Sequence, residues 1–257
     1  MVSIELEIPD LNSQVITKVM GVDVGRRYLA VTTDTHNQTK FHSGRAIIHK
    51  ANRRQKTIKT LQHKSTRSAT RRLVALSGRE RRFIADTNHC LAKKIVTPES
   101  LIGLEDLTYI RERTGPKKKG KKASIKQRRS NRNQAKWSFA ELHSFIEYKA
   151  VLVGSLAIKV DADYTSQGCC KCGHTSRENR PQKGLTFHCQ VCDVELHADL
   201  LGARNIIFRT LVFRQDWEAT GRISTVPDVS GCEAKAERLT RFSELRWSGD
   251  RIAPPPV

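Results

Sequence analysis

Residues 15–23, VITKVMGVD, decide the reading of this chain. The apolar residues become continuous as they approach Asp23, and Gly25 follows as a turn residue. A short apolar run bounded in this way is a buried β-strand, here one that delivers a carboxylate at its end. Beyond the turn, residues 28–33 (YLAVTT) and 40–42 are two further short strands, so the domain opens as an antiparallel meander. Residues 101–104 (LIGL) form another short apolar strand, and Glu105 stands at its end.

Between these strands the chain is helix-compatible and very basic. Residues 43–82 carry thirteen Lys and Arg opposed only by Glu80. Phe83, Thr87, Cys90, Leu91 and Ile95 then fall at i, i+4, i+7, i+8 and i+12, a spacing that predicts an apolar stripe on one helix face, with Pro98 ending the helix. Residues 111–132 hold eleven Lys and Arg, one Glu, two Gly and a Pro, the composition of a mobile basic loop. Helical character resumes over 137–148, residues 151–160 are strand-like, and 198–213 form an apolar helix. Residues 214–257 are polar and end in APPPV, which predicts a disordered or loosely helical tail. Strands and helices interleaved in this order give an α/β fold in which a mixed sheet is flanked by helices.

The charge balance narrows the partners. With 46 Lys+Arg against 26 Asp+Glu the formal net charge is +20, a field that attracts phosphate backbones or anionic membrane. No apolar run approaches the roughly 20 residues of a spanning helix, and no secretory signal opens the sequence, so a cytoplasmic protein is expected. A charge run is often only a solvated face. In so basic a chain phosphate contact is the expectation for both stretches, with Lys117, Lys118, Lys119, Lys121, Lys122, Arg128 and Arg129 as the candidate nucleic-acid contacts. Trp137 and Phe139 could stack on bases, although core packing is the plainer use of both.

Seven cysteines are present, and four of them form two C-x-x-C pairs, Cys169/Cys172 and Cys189/Cys192, with sixteen residues between. That spacing presents four thiolates tetrahedrally to Zn²⁺. Gly173 follows the first pair and permits a tight turn, whereas Asp193 holds the equivalent place after the second. Cys170 breaks the spacing and is read as a bystander, as are His174 and His188. Cys90 and Cys232 are scattered, which argues against a disulfide framework.

A carboxylate at the edge of an apolar run is costly unless a cation or a donor compensates it, and Mg²⁺ or Mn²⁺ is the hard cation suited to oxygen ligands. Asp23 and Glu105 are two candidates and Asp199 a third. Each has a purely structural alternative: Asp23 as a turn residue, Glu105 as a strand end, Asp199 as a residue favoured by the dipole of its helix. As a set they match one recurring arrangement.

The segments VMGVDVGRRYLAVTTD, RRFIADTNHCLAKKIV, LIGLEDLTYIRER, DADYTSQGCCKCGHTSRENRP and CQVCDVELHADLLGARNI closely resemble, in order, the TnpB/OrfB proteins of insertion sequences, long described as transposases and kin of the type V CRISPR effectors. The resemblance implies an RNase H-like RuvC nuclease domain over 1–164 and 197–213, an inserted zinc ribbon over 165–196 and a tail over 214–257. It further implies Asp23, Glu105 and Asp199 as metal-binding catalytic residues, zinc at the four paired cysteines, and RNA-guided cutting of DNA, with DNA and guide RNA as partners. Two departures accompany it. The family carries a large N-terminal lobe, whereas here the first catalytic strand begins almost at once, so the chain reads as shortened. The family's Asn two positions after the last Asp is replaced by Leu201, with Asn205 retained. A nucleic-acid-binding protein with little or no cutting is therefore the rival reading.

Overall fold

The computed structural model describes residues 16–108, 138–180, 185–221, 237, 240–242 and 244–248, together with the backbone of 251–253. The positions Lys117, Lys118, Lys119, Lys121, Lys122, Arg128, Arg129 and Trp137 lie outside the described residues. Three strands open the fold, β1 (Lys18–Asp23), β2 (Tyr28–Asp34) and β3 (Lys40–Ser43), each antiparallel to the one before. Two long helices follow, α1 (Arg45–Lys64) and α2 (Arg67–Ile95). Ser65 in the left-handed region breaks the run between them, and Thr66 caps α2 by accepting from the Ala69 N–H at 3.2 Å. Strand β4 (Ser100–Glu105), helix α3 (Phe139–Leu152) and β5 (Leu156–Val160) complete a five-stranded sheet of order β3-β2-β1-β4-β5, in which β4 runs parallel to both β1 and β5. A small antiparallel pair, β6 (Thr186–His188) and β7 (Glu195–His197), leads directly into α4 (Ala198–Thr220), and a last pair, β8 (Arg246–Ser248) and β9 (Arg251–Ala253), lies near the C-terminus.

The period of two along each strand sorts its side chains between two cores. On one face Met20, Val22, Ile102 and Leu104 pack against Ile47, Leu91, Ile95, Leu142 and Ile146 of the first three helices. On the other, Val19, Leu101, Ile158 and Val160 pack against Leu201, Ile206, Ile207 and Phe208 of α4. Gly21 and Gly103 are register partners on that second face. A Cβ on Gly21 would run into the Ala203 carbonyl, and one on Gly103 into the Thr210 hydroxyl, so the glycine pair is what lets α4 lie close on the sheet.

The mixed sheet and its meander agree with the sequence reading; the details differ in three places. The α2 face that enters the core is Asn88, Leu91, Ala92 and Ile95, with Cys90 exposed; the Asn88 amide N–H donates to the Glu141 carboxylate at 2.6 Å. Val151 and Leu152 finish α3, and the strand starts at Leu156 after Gly154 turns the chain at φ 69°. Helix α4 continues past Phe213 to Thr220, where Gly221 closes it at φ 67°. Within the stretch read as a tail, Leu245 and Trp247 are buried in the α4 core; single apolar residues among polar ones carry no period to signal this. Among the described residues no helix is long and apolar enough to cross a membrane.

Candidate metal centres

Asp23 ends β1 and Glu105 ends β4, and the parallel register that pairs Val22 with Leu104 sets these carboxylates side by side on the face covered by α4. Asp199 reaches the same place from the helix. It occupies the first turn of α4, where its N–H donates to the Nδ1 of the capping His197 at 3.3 Å, and the dipole of the helix favours its charge. One turn on, Gly202 leaves room for the Asp23 carboxylate: a Cβ there would stand 3.1 Å from the Asp23 Cγ and Oδ2. Burial first, then the negative charges of Glu105 and Asp199, push the Asp23 carboxyl well above its ordinary value, with Arg180 opposing the shift. The structure thus brings the three sequence-predicted acids into one electrostatic neighbourhood, though not within the 4.8 Å mutual spacing of the cysteine cluster. Carboxylate oxygens are the ligand type that hard divalent ions take.

The Sγ atoms of Cys169, Cys172, Cys189 and Cys192 all lie within 4.8 Å of one another, a set able to hold a metal ion. Two similar turns present them. The Gly173 N–H donates to the Cys169 carbonyl at 2.9 Å and the Asp193 N–H to the Cys189 carbonyl at 3.1 Å, and both turns end in the left-handed region, Gly173 at φ 80° and Asp193 at φ 53°. Asp193 therefore adopts the conformation that Gly173 adopts more cheaply. Cys170, His174 and His188 stand outside the cluster; Cys170 is buried and its carbonyl accepts from the Trp247 N–H at 2.8 Å. Asn179, unremarked in the sequence, joins the turns: its amide donates to the carbonyls of Gln167 and His174, and its Oδ1 accepts from the Gln190 N–H at 3.1 Å.

A third set of contacts ties the two regions together. The Thr165 hydroxyl donates to Glu105 Oε1 at 2.8 Å. Thr165 is itself held from α4, because the Asn205 amide donates to the Thr165 carbonyl at 2.7 Å and to the Gly168 carbonyl at 2.8 Å. One turn further along the helix, the buried Arg209 donates to the carbonyls of Asp161 and Asp163. Burial brings the Arg209 pKa down to about 10, against the support of Asp161, Glu105 and Asp163. A polar residue four positions after Asn205 on an otherwise apolar helix is the signal by which Arg209 could have been found. Leu201 is fully buried in the apolar cluster, and Phe139 packs against the other core.

A mixed α/β sheet with acids gathered at the ends of its central strands and a four-cysteine cluster beside them defines a class of protein for which known relatives exist. Residues 3–114 match the family described as "Probable transposase" (OrfB_IS605), and residues 139–206 match "Cas12f1-like, TNB domain". The chain is 34% identical to the CRISPR-associated endodeoxyribonuclease Cas12f2 of a Micrarchaeota archaeon over 62% of its own length and 29% of that protein's. It is 27% identical to a TnpB-like protein of Methanocaldococcus jannaschii over 76% of its length and 70% of the other's. In structure it resembles Cas12f1 as seen in a complex with sgRNA and target DNA, with a TM-score of 0.54, 20% identity and coverage of 78% of this chain and 51% of that one. The chain is thus similar to TnpB-like and Cas12f proteins over most of its length. It spans less than a third of the Cas12f2 relative.

Proposed function

We propose that this chain is a metal-dependent DNA endonuclease of the TnpB/OrfB type, built on an RNase H-like RuvC sheet with an inserted zinc ribbon. One observation carries the reading: the β1–β4 register and the approach of Gly202 to Asp23 gather Asp23, Glu105 and Asp199, far apart in sequence, so that burial, and then the charges of Glu105 and Asp199, raise the pKa of the Asp23 carboxyl. Such mutual repulsion is destabilising and is relieved at neutral pH by a shared cation, and Mg²⁺ or Mn²⁺ is the ion these oxygens suit. Bound there, the ion supplies a nucleophilic water at neutral pH and offsets charge building on a phosphodiester. The chain's own groups prepare the site. Thr165 orients Glu105, the α4 N-terminus favours Asp199, and Arg180 offsets part of the negative charge on Asp23.

Zn²⁺ at Cys169, Cys172, Cys189 and Cys192 fits as a structural ion, since the module's strands are three residues each and the module needs more than its own core. DNA is the proposed substrate and guide RNA the proposed partner, on the +20 charge and on the family's resemblance to nucleases solved with guide and target. Purified chain, alone and with the RNA that co-purifies with it, should cleave DNA with Mg²⁺ or Mn²⁺ and not without them. Binding without cleavage under every metal condition would instead support the nucleic-acid-binding reading, which the apolar burial of Leu201 favours.

A further inference from the structure

Beside the carboxylates three rings meet, those of Phe41 and Tyr28, which no role described above uses, and that of the capping His197. Phe41 of β3 meets Tyr28 of β2 at 5.0 Å between centroids and His197 at 5.1 Å, and Tyr28 meets His197 at 5.4 Å, all edge-to-face. The register locates the cluster. Asp23 pairs with Val31, and Val31 pairs with Phe41 on its other side, so the three lie in one row across the sheet and point to one face. Phe41 therefore stands two strands from Asp23, about 10 Å at ~4.8 Å per strand. His197 bridges the row to the helix, since it caps the turn that carries Asp199.

Phe41 is 41% exposed, whereas Val31 beside it is 1% exposed. Its position is nonetheless fixed. The β2–β3 turn is tied by Asp34, which accepts from the N–H groups of His36 and Gln38 at 3.0 and 2.8 Å and pairs with Lys18 at 2.7 Å. Arg204 of α4 donates to Asn37 Oδ1 in the same turn at 3.0 Å. An open ring on a rigid hairpin, next to an acidic centre in a chain of net charge +20, is suited to a flat apolar group attached to a phosphate.

We propose that Phe41, backed by Tyr28 and His197, stacks an unpaired nucleobase of a single strand whose neighbouring phosphate lies at Asp23, Glu105 and Asp199. The site holds the strand in register with the acids and tolerates any base, because every base has a π-face. This rests on the nuclease reading above for where the phosphate sits, and the test separates the two. Single-stranded oligodeoxynucleotides bearing one 5-iodouracil are photo-crosslinked to the full chain with Ca²⁺ present, and adducts are mapped by mass spectrometry. Affinity is measured in parallel by fluorescence anisotropy. Adducts on Phe41 or Tyr28 are expected, with about tenfold weaker binding for Phe41→Ala and Phe41→Leu and retained affinity for Phe41→Trp. The salt slope should not change, since no charge is lost. Phe41→Leu keeps the apolar volume, so wild-type binding by this variant, or adducts mapping only elsewhere, overturns the stack. If the adducts form as expected and no metal supports cleavage, the stack stands and the nuclease reading fails.

Discussion

The acidic end of the sheet and the cysteine module lie against the same helix and are built in opposite ways. The module is local: two short turns close on four thiolates, and backbone N–H groups within each turn complete the geometry. The acidic end is assembled from the whole domain, with one carboxylate from each of two parallel strands and one from a helix near the end of the fold. A local site can form as soon as its ion arrives, whereas a distributed one exists only after the sheet has closed and α4 has settled on Gly21 and Gly103. Stability and chemistry should therefore respond differently when each is damaged.

Damage to the acids should give the largest effect. Asp23→Ala is expected to lower metal-dependent DNA cleavage by about a thousandfold or more, because the ion contributes several kcal/mol to the transition state. Salt-sensitive DNA binding should persist, since the basic residues are untouched, and the gain in melting temperature on adding Mn²⁺ should vanish. Wild-type cleavage by this variant, measured on a labelled duplex, would remove Asp23 from the site. Cys172→Ser attacks the other region. Elemental analysis should find zinc reduced well below one equivalent while Cys170→Ser retains it, and the module should become sensitive to protease ahead of the sheet. Coincident loss of the sheet would mean that the cysteine module is not a local unit.

The same contrast explains what could be read without coordinates. The clustering of the four cysteines is legible because sixteen intervening residues and two C-x-x-C pairs are a spacing with few other uses. Strands β1 and β4 are legible as apolar runs that end in acids. That Asp23 and Glu105 adjoin was not readable from either strand, since it depends on parallel pairing across the intervening helices; only the family resemblance joined them. Thr165, Asn179 and Arg209 escaped notice because their work is to satisfy backbone carbonyls and one carboxylate at points set by the tertiary fold. The burial of Trp247 was hidden for a similar reason: a lone apolar residue has no period.

Acid should separate the regions a second time. On the sheet face away from α4, His143 is buried, its Nε2 has no hydrogen-bond partner, and burial, with Lys159 adding to it, lowers its pKa to about 4. The unfolded chain binds a proton there near 6.5 and the folded chain does not, so stability present above pH 6.5 is lost as pH falls toward about 4. The difference amounts to about 3 kcal/mol by pH 4. His143→Leu should flatten that part of a urea-unfolding series between pH 6.5 and 4 while zinc content at pH 7 stays unchanged. An equally steep loss in the variant would place the acid sensitivity at groups other than His143.

The smallest expected effect concerns the link between the regions. Thr165 gives its proton to Glu105 and is gripped through its carbonyl by Asn205, which also grips Gly168 beside the first clustered cysteine. A hydrogen bond to a charged group is worth about 1.5–3 kcal/mol, and a mobile Glu105 forfeits part of that at the reacting centre. Thr165→Val preserves shape and removes the donor, so cleavage should fall about tenfold with normal zinc content, and Thr165→Ser should restore most of it. Asn205→Ala should lower cleavage through the same path. The double variant should then lose less than the product of the two single losses, because once the Thr165 hydroxyl is gone its position no longer matters. Losses that multiply would show that Asn205 acts on the cysteine module and Thr165 on the acids independently, and that the two regions share a helix without sharing a mechanism.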